Sequence, residues 1–167
     1  MATINFQGKP LNTSGELPVV GATAPDFSLV NGSLKDVSLA SYAGKRKMLS
    51  IVPSLDTPTC AESTRTFNRK ANSLENTVVL VVSADLPFAQ GRFCEADGLK
   101  DVIPLSTFRS NFAEEYGVKI IDTVLAGLTT RAIVIVDEND KVIYTELVAE
   151  VADEPDYESA LSALADL

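Results

Sequence analysis

The chain has 167 residues, 46% hydrophobic and 22% charged, the proportions of an ordinary globular protein and a length that suits one domain, 1–167, with a single core. A net charge of −9, from 14 basic and 23 acidic side chains, works against nucleic acid or an anionic membrane as partner, since both require clustered Lys and Arg. With two cysteines and no histidine, neither a His/Cys zinc site nor a His-based catalytic triad can be assembled.

Met1 to Phe6 has neither the basic start nor the apolar stretch of a secretory signal. No apolar run approaches the ~20 residues of a membrane helix, and a cytoplasmic location is expected. Residues 1–44 are punctuated by turn signals (Gly8-Lys9-Pro10, Ser14-Gly15, Asn31-Gly32, Gly44) between short apolar pieces, which reads as hairpins and loops. Lys45-Arg46-Lys47, the one compact basic cluster, reads as a solvated loop before the buried strand Met48 to Val52. Cys60, Thr64, Phe67, Ala71 and Leu74 then recur at helical spacing. Thr77 to Ser83 is a second buried strand, and Pro87 to Ala96 a helix with Pro87 in its first turn. Phe108 to Tyr116 reads as a further helix ended by Gly117. Ala132 to Asp137 and Val142 to Val148 form a hairpin across Asp137-Glu138-Asn139-Asp140, and Pro155 opens a closing helix carrying Tyr157, Leu161 and Leu164. The core order is therefore β-α-β-α-α-β-β-α. Its first two strands should be parallel, with a right-handed crossover, and its last two antiparallel. A mixed sheet with helices on both faces follows, compatible with a thioredoxin-like core behind an N-terminal extension.

The chemistry concentrates around the cysteines. Thr57 fits an N-cap and Pro58 the first helical position, which puts Cys60 in the first turn, near free amide donors and the positive end of the helix dipole. A thiolate is favoured there. An inert cysteine on the core face of the helix explains the same spacing, since free cysteine is often buried. Cys94, two residues after Arg92, reads in isolation as filler or a mildly exposed thiol. Leu55, Phe88 and Ile120 either line an apolar pocket or belong to the core.

Pro53, Thr57 and Cys60 fit the pattern P-x-x-x-T-x-x-C, Ser83 to Cys94 runs Ser-Ala-Asp-Leu-Pro-Phe-Ala-Gln-Gly-Arg-Phe-Cys, and Thr130-Arg131 precedes an apolar strand. On these three segments the whole chain resembles the thiol peroxidase subfamily of the peroxiredoxins, of the atypical two-cysteine type. The resemblance implies an α/β thioredoxin-like fold, with a mixed sheet flanked by helices and an N-terminal β-hairpin extension, and a homodimer. It implies an antioxidant peroxidase acting on hydrogen peroxide and on alkyl or lipid hydroperoxides. In that scheme the Cys60 thiolate attacks the terminal peroxide oxygen and becomes a sulfenic acid. Cys94 resolves it as an intrachain disulfide, and thioredoxin reduces the disulfide. Thr57 would align sulfur and peroxide, Arg131 would hydrogen-bond the transferred oxygens, and Pro53 would shield the sulfenic acid. The first turn of the Cys60 helix, or the Cys94 segment, should unwind in turnover, because a disulfide needs its Cα atoms within ~7 Å. Pro58 and Thr59 depart from the Gly and Val often found there, which bears on loop shape and substrate fit. No Gly-rich phosphate loop points to an organic cofactor, and none is expected.

Three other readings use the same residues. A thiol–disulfide oxidoreductase usually carries C-x-x-C, whereas Cys60 is followed by Ala-Glu-Ser. A redox sensor or holdase would use Cys60 oxidation as a switch without turnover. A catalytically dead member with two core cysteines sits badly with the presence of Thr57, Cys60 and Arg131 together.

Overall fold

The computed structural model describes every residue except Asn72 and Leu167. β1 (Thr3–Phe6) and β2 (Lys9–Asn12) form an antiparallel hairpin. Gln7 and Gly8 at its tip have φ of 52° and 76°, the pair of left-handed residues that a two-residue turn matching the strand twist requires. β3 (Leu29–Val30), β4 (Asp36–Val37) and a 3-10 turn (Leu39–Tyr42) follow. The central units are β5 (Arg46–Ile51), α1 (Pro58–Ala71), β6 (Thr77–Ser83), α2 (Pro87–Ala96), β7 (Ile103–Ser106) and α3 (Phe112–Glu115). β8 (Ala132–Val136), β9 (Val142–Leu147) and α4 (Tyr157–Ala165) complete the order.

The larger sheet has seven strands in the order β4-β3-β7-β6-β5-β8-β9. β5 pairs with β6 and β6 with β7 in parallel, while β5–β8, β8–β9, β3–β7 and β3–β4 are antiparallel. The mixed sheet, the parallel first pair and the closing antiparallel hairpin all agree with the sequence reading. All five residues of β8 are buried, as expected of a strand covered on both faces. Leu49, Ile51, Leu80, Val82, Phe112 and Tyr116 pack on one face, and Met48, Cys60, Phe67, Val79, Val81, Ala160 and Leu164 on the other. A third cluster, Ile4, Leu11, Ile120 and Val151, ties the N-terminal hairpin to the body.

Three expectations are corrected. The basic cluster is not a solvated loop: only Lys45 is exposed, and β5 begins at Arg46. Arg46 pairs with Glu138, and fully buried Lys47 donates to Asp140 Oδ1 at 2.7 Å. Both cations are matched by carboxylates of the β8–β9 turn, which is how a buried lysine is tolerated. The helix expected over Phe108 to Tyr116 is a single turn from Phe112. Ser110 closes a turn onto Thr107 (2.9 Å), and its hydroxyl accepts from the Phe112 amide at 3.1 Å, delaying the helix start. Gly117 does end that turn, with φ 69°, and a Cβ there would lie 2.2 Å from the Glu16 carbonyl oxygen, so glycine is required. The closing helix starts two residues after Pro155, with Asp156 as its cap: the Asp156 side chain accepts from the Ser159 amide at 3.1 Å. β7 was not anticipated.

Candidate active site

β5 runs out at Ile51, and the chain must turn back over the sheet to start α1. Residues 52–57 make that connection. The Val52 amide donates to the Val82 carbonyl at 2.9 Å, and the Val52 carbonyl accepts from the Thr129 hydroxyl at 2.6 Å. Pro53 follows, buried. The rest of the loop is pinned by Asp85, just beyond β6. Its carboxylate accepts from the Ser54 hydroxyl (2.7 Å), the Leu55 amide (2.8 Å) and the Ser83 hydroxyl (2.8 Å). Ser83 also accepts from buried Gln90 of α2 at 3.0 Å. One carboxylate thus joins the loop before Cys60 to the start of the helix that carries Cys94.

α1 begins at Pro58, as the capping argument required, although the Thr57 hydroxyl does not cap it. That hydroxyl turns back and donates to the Ser54 carbonyl at 3.1 Å, tightening the loop instead. Cys60 is in the first turn with no exposed surface. Its carbonyl accepts from the hydroxyls of Ser63 (3.0 Å) and Thr64 (2.8 Å).

Arg131, immediately before β8, is 2% exposed. Its Nε donates to the Val151 carbonyl at 3.0 Å, and its Nη2 donates to Cys60 Sγ at 3.1 Å. Nη1 has no partner. A buried guanidinium cannot shed its charge, so this site holds a fixed cation against sulfur, with one N–H arm left for another acceptor. The arrangement places a charged donor on the sulfur and offers a second N–H to an oxygen bonded to it.

Cys94 is in the last turn of α2, half-buried, and is a free thiol, as is Cys60. It packs at the edge of the apolar cluster that contains Cys60. Burial raises its pKa, and the nearby Asp97 charge adds to the rise. The structure therefore brings Arg131 onto Cys60, puts Pro53 and Thr57 in the loop before it, and leaves Cys94 unbonded on a separate helix. A cleft of about 700 Å³ runs between the 54–56 loop and α2, with Leu55, Phe88, Arg92 and Phe93 among its walls. Ile120 does not line it and belongs to the hairpin core. Among the described residues no group of three or more acidic or thiol side chains converges for a metal ion, and no helix is long and apolar enough to cross a membrane.

Sequence reasoning did not assign roles to Asp85, Gln90, Thr59 or Val151. Asp85 and Gln90 lie inside the quoted run Ser83 to Cys94, and an Asp directly after a strand is a signal for a side chain that holds turn amides. The Val151 carbonyl is a backbone group and leaves no trace in residue types.

With this geometry in view, the chain belongs to the Redoxin family, whose model matches residues 19–161. Within it, the chain groups with the thiol peroxidases. It is 52% identical over 164 residues to the thiol peroxidase of Corynebacterium glutamicum, covering 98% of this chain and 99% of the relative. It is equally similar, over the same spans, to the thiol peroxidase of Mycobacterium tuberculosis. Among solved structures, a peroxiredoxin-like protein from Aquifex aeolicus superimposes with a TM-score of 0.94 at 37% identity, covering 99% of this chain and 97% of that one. The thiol peroxidase from Chromobacterium violaceum gives 0.92 at 27% identity with the same coverage. The fold is accordingly the thioredoxin-like α/β fold with an N-terminal hairpin that the sequence suggested.

Proposed function

We propose that the protein reduces hydrogen peroxide and organic hydroperoxides through Cys60, and that Cys94 returns the oxidised sulfur to a disulfide that thioredoxin reduces. The observation that carries this reading is the buried Arg131 fork, with one arm 3.1 Å from Cys60 Sγ and another without a partner. The Cys60 thiolate attacks the terminal peroxide oxygen, and the S–O bond forms as the O–O bond breaks. Negative charge grows on the leaving oxygen, where a fixed donor in a dry site is most effective. Arg131 Nη1 supplies that donor. The products are the Cys60 sulfenic acid and water or an alcohol. Thr57, at the loop end, orients the peroxide, and buried Pro53 keeps water from the sulfenic acid.

In the second step the Cys94 sulfur displaces the sulfenic hydroxyl as water, forming the Cys60–Cys94 bond. Cys60 is fully buried and Cys94 lies on another helix, so the first turn of α1 or the end of α2 must unwind to join them. The cleft beside the 54–56 loop, with exposed Leu86 and Phe88 at its edge, suits the alkyl part of an organic hydroperoxide. The same apolar edge suits the homodimer contact proposed for the cytoplasmic protein.

The test is peroxide consumption by wild type, Cys60→Ser and Cys94→Ser, with and without a thioredoxin system. Cys60→Ser should be inactive. Cys94→Ser should consume one equivalent and then stall until a small thiol is added. Full activity in Cys60→Ser overturns the reading, and a wild type that reacts once but never turns over favours the sensor.

A further inference from the structure

Among the described residues, Arg131 holds its fork on Cys60 by one side-chain anchor elsewhere, the Val151 carbonyl at 3.0 Å from Nε. Val151 lies between β9 and α4, outside any regular element. Its position is set by the N-terminal hairpin. The Asn5 amide of β1 donates to the Ala149 carbonyl and the Val151 amide donates to the Asn5 carbonyl, both at 2.8 Å. The Val151 side chain is buried with Ile4 and Leu11 of the hairpin.

Between these two backbone bonds, Glu150 reaches around the tip of the hairpin. Its Oε1 accepts from the Gln7 amide at 2.9 Å and its Oε2 from the Gly8 amide at 3.2 Å. Two carboxylate oxygens on two successive turn amides form a charge-assisted clamp. The amides are presented this way because Gln7 and Gly8 both take left-handed φ. The line of contact runs from the hairpin turn to Glu150, through one peptide to the Val151 carbonyl, and from there to Arg131 and the Cys60 sulfur.

We infer that Glu150 is a positioning residue for Arg131, and that the Gln7–Gly8 turn, through Glu150, helps to hold the peroxide-reducing site in place. With the clamp open, the 149–152 segment loses one of its fixings and the Val151 carbonyl drifts. The guanidinium then no longer presents both of its remaining arms to the reacting atoms. The inference rests on the proposed roles of Cys60 and Arg131.

The experiment separates the two chemical steps in single turnovers of the full-length protein, by rapid quenching and mass measurement. Glu150→Ala should slow the reaction of Cys60 with hydrogen peroxide about tenfold, the scale of a small misplacement at a reacting centre, and leave disulfide formation from the sulfenic acid unchanged. Glu150→Gln keeps an acceptor for one turn amide and should recover most of the loss. Glu150→Asp, one methylene short, should fall between Ala and wild type. Thr3→Val is the control: it removes the bond from Thr3 to Asn12 Oδ1 (2.7 Å) within the hairpin but leaves the clamp intact, and should change neither step. The inference is overturned if Glu150→Ala reacts with peroxide at the wild-type rate, if both steps slow together, or if Thr3→Val is as slow. If Cys60→Ser still consumes peroxide, the proposed function fails first, independently of Glu150.

Discussion

Cys60 and Cys94 lie on neighbouring helices and border one apolar cluster, yet they are held in opposite ways. Cys60 is immobilised: it is fully buried, its carbonyl takes two hydroxyls, and its sulfur takes a guanidinium. Cys94 is half-buried on a helix that buries only Pro87 and Gln90, and among the described residues no hydrogen bond reaches its sulfur. Burial and the Asp97 charge raise the pKa of Cys94, while the Cys60 sulfur faces the Arg131 guanidinium at 3.1 Å. The contrast teaches a division of labour. In the proposed mechanism, the sulfur assigned to meet peroxide is the one held in place by its surroundings, and the sulfur assigned to resolve it is the one left loosely held.

Removing the feature that distinguishes the Cys60 environment should have the largest effect. Arg131→Lys keeps the charge but loses the planar fork that reaches Val151, Sγ and a third acceptor at once. The rate constant for peroxide reduction, followed by stopped flow, should fall about 10²-fold, the usual cost of losing a preorganised donor. A loss under about threefold would show that charge alone suffices, since geometry of this kind is worth far more.

Much of this contrast was legible in the chain. Pro58 and the apolar spacing from Cys60 to Ala71 gave the helix start and its inward face, because proline and periodicity act locally; Leu74, read as part of the same helix, lies beyond its end at Ala71. The Val-rich strands were equally plain. What escaped depended on partners distant in sequence. Lys47 reads as solvated until Asp140 is known to lie beside it. β7 contains Pro104 and has four residues, two of them only half-buried, and is a strand because β6 offers it a parallel edge. At the site, residue types alone left Cys60 open between a reactive and a core cysteine, and it was the family resemblance that assigned roles to Cys60, Thr57 and Arg131; the Glu150 clamp and the Val151 carbonyl depend on a backbone arrangement that no pattern of side chains encodes.

The Cys94 side of the comparison can be sharpened by pH. The thiolate is the attacking form, and a raised pKa means a small anionic fraction at neutral pH. Disulfide formation should therefore keep accelerating as pH rises past the ordinary thiol range. Asp97→Asn removes a charge that raises the pKa and should speed the step at neutral pH by roughly threefold, lower nucleophilicity offsetting part of the gain. Asp97 is also bound to Arg65 of α1 at 2.7 Å, so a loosened clasp between the helices predicts the same acceleration. Arg65→Gln separates the causes. It unmasks the Asp97 charge and slows the step if electrostatics governs, but speeds it if the clasp governs.

The smallest expected effect lies at Thr59, where this chain departs from the residue pattern it otherwise resembles. Its hydroxyl donates to the Ala152 carbonyl at 2.8 Å, fastening the first turn of α1 to the segment that also anchors Arg131. If that turn unwinds for Cys94 to reach Cys60, this bond breaks each cycle. Thr59→Val keeps the side-chain shape and removes the bond. An exposed hydrogen bond is worth the low end of the usual range, about 0.5 kcal/mol, a factor of roughly two. Disulfide formation should quicken by no more than that, with the peroxide step unchanged. The sulfenic acid then persists for less time, so a second hydroperoxide, which would oxidise it to the sulfinic acid and leave as water or alcohol, finds it less often. Thr59→Ser retains the donor and should behave as wild type. Mass measurement of sulfinic acid against peroxide concentration reads the outcome. Equal yields in Thr59→Val and wild type would mean that the first turn stays folded while the Cys94 segment does the moving, which places the mobility entirely on the loosely held side of the pair.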